Sequence, residues 1–277
     1  MTAARTERAA FLVVGGLLAL MFLVWAVCGV AGWTLGTATH REHRVIPGPV
    51  AAVRIDGSGH DSVLVAAGDG ERVTVDSVAR GTFRAPHLEI GVNGASIHVA
   101  GGCGHVWLGH CHASVTVRVP PGTAVEVDSG VGDVAASGLS GPVRLRSGAG
   151  DVSASELTGP AELHTGSGDV DAHDLTGTAR LASDSGDVEG DGLSGAATHA
   201  SSGSGDVDLL FSSAPAGVDA ESGSGDVALL VPRGTAYAVD AGTSSGDRTV
   251  GVDTSPRSGH SLRARTGSGD VTVEYGS

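Results

Sequence analysis

The chain has 277 residues, with 31 acidic side chains against 17 basic ones, all of them Arg, and a formal net charge of −14. That balance excludes the basic footprint on which nucleic-acid binding rests. Forty-five Gly and only 3% aromatic residues exclude a core filled by large side chains, so the fold must bury Val, Leu and Ala in thin, regularly stacked layers.

Residues 1–10 read as a short cytoplasmic tail. The stretch FLVVGGLLALMFLVWAVCGVAGW, residues 11–33, runs 23 residues without a charge. At about 1.5 Å of rise per residue it can cross a hydrocarbon core of about 30 Å. It is longer than the apolar region of a cleaved signal peptide, so it reads as an uncleaved, single-pass transmembrane signal anchor. Cys28 inside it reads as a small apolar residue, because WAVC lacks the small residue that precedes a lipidated Cys. Arg5 and Arg8 before the span are matched by Arg41 and Arg44 after it, which leaves the positive-inside rule undecided. The short tail, the acidic domain and a Cys pair downstream place the C-terminal domain outside the membrane in this reading. Residues 34–49, with IPGP and mixed charges, read as a stalk.

Residues 50–277 read as one all-β domain. Its first part, AAVRIDGSGHDSVLVAAGDGERVTV, alternates Val with polar residues, as strands with one buried face do. The cluster CGHVWLGHCH at 103–112 suits a hairpin disulfide between Cys103 and Cys111 in an oxidising compartment. A zinc site using the same Cys with His105, His110 and His112 is the alternative, but no recognised ligand spacing supports it.

From about residue 129 a hexapeptide recurs. Aligned on its Asp, it reads SGVGDV (Asp133), SGAGDV (Asp151), TGSGDV (Asp169), SDSGDV (Asp187), SGSGDV (Asp206 and Asp226), TSSGDR (Asp247) and TGSGDV (Asp270). Halfway between successive Asp residues stand LSG or LTG, at 139–141, 157–159, 175–177 and 193–195. Each unit of about 18 residues therefore holds two turns and two short strands, with no helical period. A short fixed period predicts a parallel β-helix, or β-solenoid, because one unit cannot bury its apolar face without neighbours. Each Val after the Asp is expected to stack on the next at about 4.8 Å, giving roughly a dozen coils. Gly132, Gly150, Gly168, Gly186, Gly205, Gly225, Gly246 and Gly269 are expected at the corners. A longer internal copy, VPPGTAVEVDSG at 119–130 and VPRGTAYAVDAG at 231–242, supports one continuous domain.

The VPxGT segment followed by serial GDV repeats, behind a single N-terminal span, resembles the bacterial putative-adhesin family. The resemblance covers about residues 50–277 and implies a β-solenoid of unknown function. The adhesive role in that family's name is an inference from architecture.

Eight stacked carboxylates would repel one another by about 1 kcal/mol per pair at a solvated surface, so something must offset the charge. The favoured reading is that each Asp accepts backbone amides of its own Gly-rich corner and that the chain takes no cofactor. The alternative is calcium held between Asp133, Asp151, Asp169, Asp187, Asp206, Asp226, Asp247 and Asp270, although the spelling differs from that of calcium-binding nonapeptide repeats. Catalysis is not expected, since His164, His173, His199 and His260 stand at unrelated phases of the repeat.

The functional expectation is a non-enzymatic surface protein of the cell membrane, an adhesin-like scaffold with cell-envelope or other surface partners and no nucleic acid. An envelope-stress sensing or signalling component acting through membrane partners is the alternative, and a polysaccharide-active β-helix enzyme the third. A last strand, GDVTVEYGS, is expected to leave an unpaired edge that invites another chain, unless residues 247–265 fold over to close it.

Overall fold

The Ser/Thr-Gly-x-Gly-Asp-Val hexapeptide forms one corner of a coil in the computed structural model, which describes residues 20–23, 38–48, 50–57, 62–68, 70–81, 87–93, 95–102 and 111–276. The fold they make consists of 23 strands in two sheets, with 12 in the first and 11 in the second.

In chain order, β1 (Ala38–Ile46) precedes β2 (Ala52–Gly57) and β3 (Ser62–Ala67), which form one coil with a strand in each sheet. After β4 (Val73–Gly81) and β5 (His87–Asn93) come β6 (Ser96–Gly102) and β7 (Cys111–Val119), a second coil. Six regular coils follow. They are β8 (Ala124–Ser129) with β9 (Asp133–Ser137), β10 (Val143–Ser147) with β11 (Val152–Ser155), and β12 (Ala161–Thr165) with β13 (Val170–His173). Then come β14 (Ala179–Ser183) with β15 (Val188–Leu193), β16 (Ala197–Ser202) with β17 (Val207–Phe211), and β18 (Gly217–Ser224) with β19 (Val227–Val231). The last two coils are β20 (Ala238–Thr243) with β21 (Arg248–Val250), and β22 (Ser261–Ser268) with β23 (Val271–Tyr275).

The expected apolar ladder is present. Val134, Val152, Val170, Val188, Val207, Val227 and Val271 stand in register along the first sheet, all buried. The second sheet supplies the facing layer through Leu145, Leu163 and Leu181, also in register and buried. Leu139, Leu157, Leu175 and Leu193 of the second turn close the core at the other corner. Side chains this small leave the sheets close together, which is why the chain manages with few aromatics.

Coil order departs from chain order at both ends. The β2/β3 coil lies between β6/β7 and β8/β9, and β22/β23 lies between β18/β19 and β20/β21. The two copies of VPxGT sit at the two places where the chain must step over an intervening coil, from β7 to β8 and from β19 to β20. Each step leaves a gap about two strand spacings wide, roughly 9.6 Å, that a different part of the chain fills.

Four expectations are corrected here. Among the described residues there are ten parallel coils, rather than a dozen, because β1 and β4 in the first sheet and β5 in the second run antiparallel. Residues 38–46, assigned to the stalk, form β1, which pairs with β4 over its whole length. The C-terminal strand is no free edge, since β23 pairs with both β19 and β21. The end of the stack is instead β20 and β21, with Tyr237 just before β20 and Tyr275 at the end of the neighbouring β23. There the Tyr237 hydroxyl donates to Pro232 O at 2.9 Å, and the Arg233 guanidinium lies 5.0 Å from the Tyr275 ring centre. The fourth correction concerns the Asp column and is taken up with the site.

Of the expected span at 11–33 only residues 20–23 are described, and they are helical. Among the described residues no helix is long and apolar enough to cross a membrane. The Cys103–Cys111 pairing falls outside the described residues, apart from the backbone of Cys111 at the start of β7.

Candidate interaction face and the aspartate ladder

The Asp column does not bond within its own corner. The backbone amide of Asp151 donates to Asp133 Oδ1 on the preceding coil at 3.1 Å, and that of Asp169 to Asp151 Oδ1 at 3.0 Å. The series continues through Asp187, Asp206 and Asp226 at 2.9, 2.8 and 2.7 Å. It then follows space rather than sequence. The Asp270 amide donates to Asp226 at 2.7 Å and the Asp247 amide to Asp270 at 2.8 Å. Carboxylate acceptors of amide donors are the stronger kind of hydrogen bond, and they offset the repulsion that stacking creates.

The first letter of the hexapeptide makes a second ladder. Thr165 Oγ1 donates to Gly150 O at 2.7 Å, Ser183 Oγ to Gly168 O at 2.8 Å and Ser222 Oγ to Gly205 O at 2.8 Å, each reaching the preceding coil. These hydroxyls are buried and would be costly if unpaired. The corner Gly is demanded by the same closeness: a Cβ at Gly168 would lie 2.4 Å from Gly150 O. Gly150 itself has φ +151°, a conformation that a Cβ disfavours. Among the described residues no group of three His, Cys, Asp or Glu side chains is arranged to hold a metal ion.

The unshared chemistry lies on the outer face of the second sheet. Along one column, Arg54 stands beside Glu126, Glu126 beside Arg144, Arg144 beside Glu162, and Glu162 beside Arg180. Beyond His199 the column continues with Asp219, Arg263 and Asp240. In chain order Asp219 and Asp240 would be successive acids, and the displaced β22 restores alternation by setting Arg263 between them. Within the chain, Arg54 contacts Glu126 at 3.0 Å and Asp128 at 3.1 Å, Arg146 contacts Glu162 at 3.1 Å, and Arg265 contacts Asp240 at 2.7 Å. Burial alone would raise the Glu162 carboxyl, but Arg146 and Arg144 together hold it below the usual range. Hydrogen bonding by Arg265 likewise lowers Asp240.

A groove of about 1070 Å³ runs beside this column, across the starts of the strands. It is lined by Pro142, Pro160 and Thr178, each just before a strand, and by Arg144, Glu162 and Arg180, each the second residue of that strand. The four His residues singled out by sequence are not brought together. His199 lies 3.6 Å from Asp219 on the second sheet, His164 pairs across to Arg146 and Ala182, His173 is in the first sheet, and the His260 ring bonds Pro215 O at 2.7 Å.

The charged column escaped the reading of the sequence, although a signal for it existed. Counting back seven residues from each column Asp gives Glu126, Arg144, Glu162, Arg180, His199 and Asp219, then Asp240 and Arg263.

Residues 52–274 match the family described as Toastrack DUF4097. The chain belongs to this family. No curated protein matches it. Three solved structures are similar to the Toastrack chain. A putative adhesin from Bacteroides fragilis NCTC 9343 has 16% identity and a TM-score of 0.48, with 85% of this chain and 97% of that one covered. A putative adhesin from Parabacteroides merdae ATCC 43184 has 11% identity and a TM-score of 0.44, with 86% and 96% covered. A putative lipid binding protein from Parabacteroides distasonis ATCC 8503 has 13% identity and a TM-score of 0.45, with 84% and 96% covered.

Proposed function

We propose that residues 50–277 are a non-enzymatic interaction scaffold, adhesin-like in role, displayed outside the cell by a single membrane span at residues 11–33. The observation that carries this reading is the outer face of the second sheet. It presents registered columns of charge on a frame whose Asp, Ser and Thr side chains are occupied in holding one coil to the next. A long ruled face supported in this way suits contact with another surface better than turnover of a small molecule, which calls for convergent polar groups in a deep pocket. Partners in this reading are cell-envelope components or other surface proteins, with no nucleic acid and no cofactor.

The test is made on intact cells that express the full chain with a C-terminal epitope. External protease should remove the epitope without lysis, and deletion of the chain should reduce retention of the cells on envelope polymers or on one another. An epitope cleaved only after lysis would sink the proposed location. Unchanged retention of deletion cells, with the epitope exposed, would sink the proposed role.

A further inference from the structure

The charged column has a property that its alternation alone does not imply. Signs run positive at Arg54, negative at Glu126, positive at Arg144, negative at Glu162 and positive at Arg180. After His199 they resume as negative, positive and negative at Asp219, Arg263 and Asp240. His199 therefore shifts the alternation by one coil, so that the near half ends on a cation and the far half on an anion. Reversed end to end about Arg180, such a column is complementary to itself at its three outer positions on each side, while Arg180 meets its own equivalent at the centre.

We propose that the outer face of the second sheet binds a second copy of this chain, face to face and antiparallel, about a two-fold axis lying along the strand of Arg180. In that register Arg144 faces Asp219 of the other copy, Glu126 faces Arg263 and Arg54 faces Asp240. The adjacent column agrees independently: Arg146 meets Glu221 and Asp128 meets Arg265, while Ala182 lies on the axis. At the axis Arg180 faces Arg180 of the other copy, the one like pair in this register, and each Arg180, which forms no ion pair within its own chain among the described residues, has Glu162 of the other copy one coil away to offset it.

The signs select this arrangement against its neighbours. A slip of one coil in one direction sets Arg54 against Arg263 and Glu126 against Asp219. A slip in the other direction sets Arg144 against Arg263 and Glu162 against Asp219. A parallel pair in register sets each charge against its own equivalent, or Arg144 against Arg146 and Asp219 against Glu221. Like charges in direct opposition cost affinity and exclude wrong registers.

Pitch selects the class of partner. An extended peptide lying along the column would repeat its side chains on one face every 6.7 Å or so, and would lose phase with coils spaced about 4.8 Å within a few residues. A second stack of the same coils keeps phase along the whole face. Nine coils of five-residue strands offer roughly 700 Å² per copy, near the size of a standard specific interface. The arrangement is isologous and closes, as a two-fold dimer must. It also sends the two β1 strands toward opposite ends of the pair.

This proposal goes further than the scaffold reading, and it is tested by mass in solution without reference to location, so either can fail alone. The full chain in mild detergent is measured by sedimentation and light scattering over roughly 1–100 μM, a range that spans transient surface interfaces. Wild type should self-associate to a dimer that loosens with added salt. Arg144→Glu with Arg146→Glu should weaken it about tenfold or more, as should Asp219→Arg with Glu221→Arg. An equimolar mixture of the two variants should recover the wild-type dimer, because each reversed patch then meets its opposite. Circular dichroism checks that both variants fold, and if either unfolds, the single changes Arg144→Glu and Asp219→Arg take their place. A monomeric wild type, variants as dimeric as wild type, or a mixture that stays monomeric would each overturn the proposal.

Discussion

The backbone amide of Asp206 donates to Oδ1 of Asp187 at 2.8 Å, and Asp206 in turn accepts from the amide of Asp226 at 2.7 Å. One side chain on each coil thus joins the backbone bonds of the corner, such as Gly203 N to Ser183 O at 3.0 Å, in fixing its register. The acceptor matters more than the charge. Asp187→Ala should lower stability by about 1–2 kcal/mol, the cost of a lost bond to a charged acceptor at a partly solvated site. Asp187→Asn keeps an oxygen acceptor and relieves repulsion from Asp169 and Asp206, so it should remain within about 0.5 kcal/mol of wild type. Urea midpoints of the two variants decide the matter, and equal losses would show that charge, not the bond, is what the corner requires.

The same ladder predicts indifference to calcium. Each Oδ1 from Asp133 to Asp226, and that of Asp270, already has an amide donor on the next coil. A chelator should therefore leave the thermal midpoint unchanged, and millimolar calcium should not raise it. A rise of several degrees with calcium would mean that the ion binds the folded state selectively and that the remaining carboxylate oxygens form a metal ladder.

Corner glycines are fixed by closeness to the coil beneath. A Cβ at Gly168 would stand 2.4 Å from Gly150 O and 2.6 Å from Gly150 C, both backbone atoms that cannot swing away. Gly168→Ala should cost about 3 kcal/mol or more, since relief requires moving one coil relative to another. Gly242, near the end of the stack, meets nothing within 4 Å, so Gly242→Ala should be nearly neutral. The contrast is read from denaturant midpoints of the two variants, and similar costs at both sites would point to backbone entropy as the cause.

What the sequence made legible was whatever repeats at constant phase with constant type. The Val after seven of the eight column Asp residues and the Leu of LSG and LTG are apolar in coil after coil, and these residues lie buried as expected, with exposed Arg248 after Asp247 the exception. Coil order at the ends was not legible. The spacings from Asp226 to Asp247 and on to Asp270 lengthen by only a few residues, and nothing local records that β22 passes between β18 and β20. The VPxGT copies did mark both skipped places, but a motif repeated twice reads as homology until the pairing shows what the two sites share. The Asp ladder was legible in position and misjudged in partner, because a local Asx turn and a bond to the next coil require the same residue at the same place. Sequence spacing alone does not separate 4.8 Å along the stack from two residues along the chain.

Acidity on the first sheet predicts an unusual dependence on pH. Asp171, Glu189 and Asp208 stand in register on three successive coils, beside the ladder carboxylates. Burial first, then Glu189, pushes the Asp171 carboxyl up, although His173 opposes the shift. Burial first, then Asp206, does the same to Asp208. A carboxyl raised in the folded state disfavours folding while it is ionised, and that penalty disappears as pH falls through the folded value. Glu162 and Asp240 act in the opposite sense. Their carboxyls are lowered in the folded state, so their contribution is present above the ordinary carboxylate range and is lost as pH falls through the lowered values. Stability should therefore rise as pH falls through the raised values of Asp171 and Asp208, above the ordinary carboxylate range, and fall again as pH drops through the lowered values of Glu162 and Asp240, below that range. Asp171→Asn with Asp208→Asn should raise the midpoint at pH 7 by about 1–2 °C and flatten the rise on acidification, a shift on the scale of surface-charge changes. Thermal unfolding of wild type and variant across that range makes the comparison. Parallel curves for the two proteins would mean that water already screens this face, leaving the acidic columns without energetic weight.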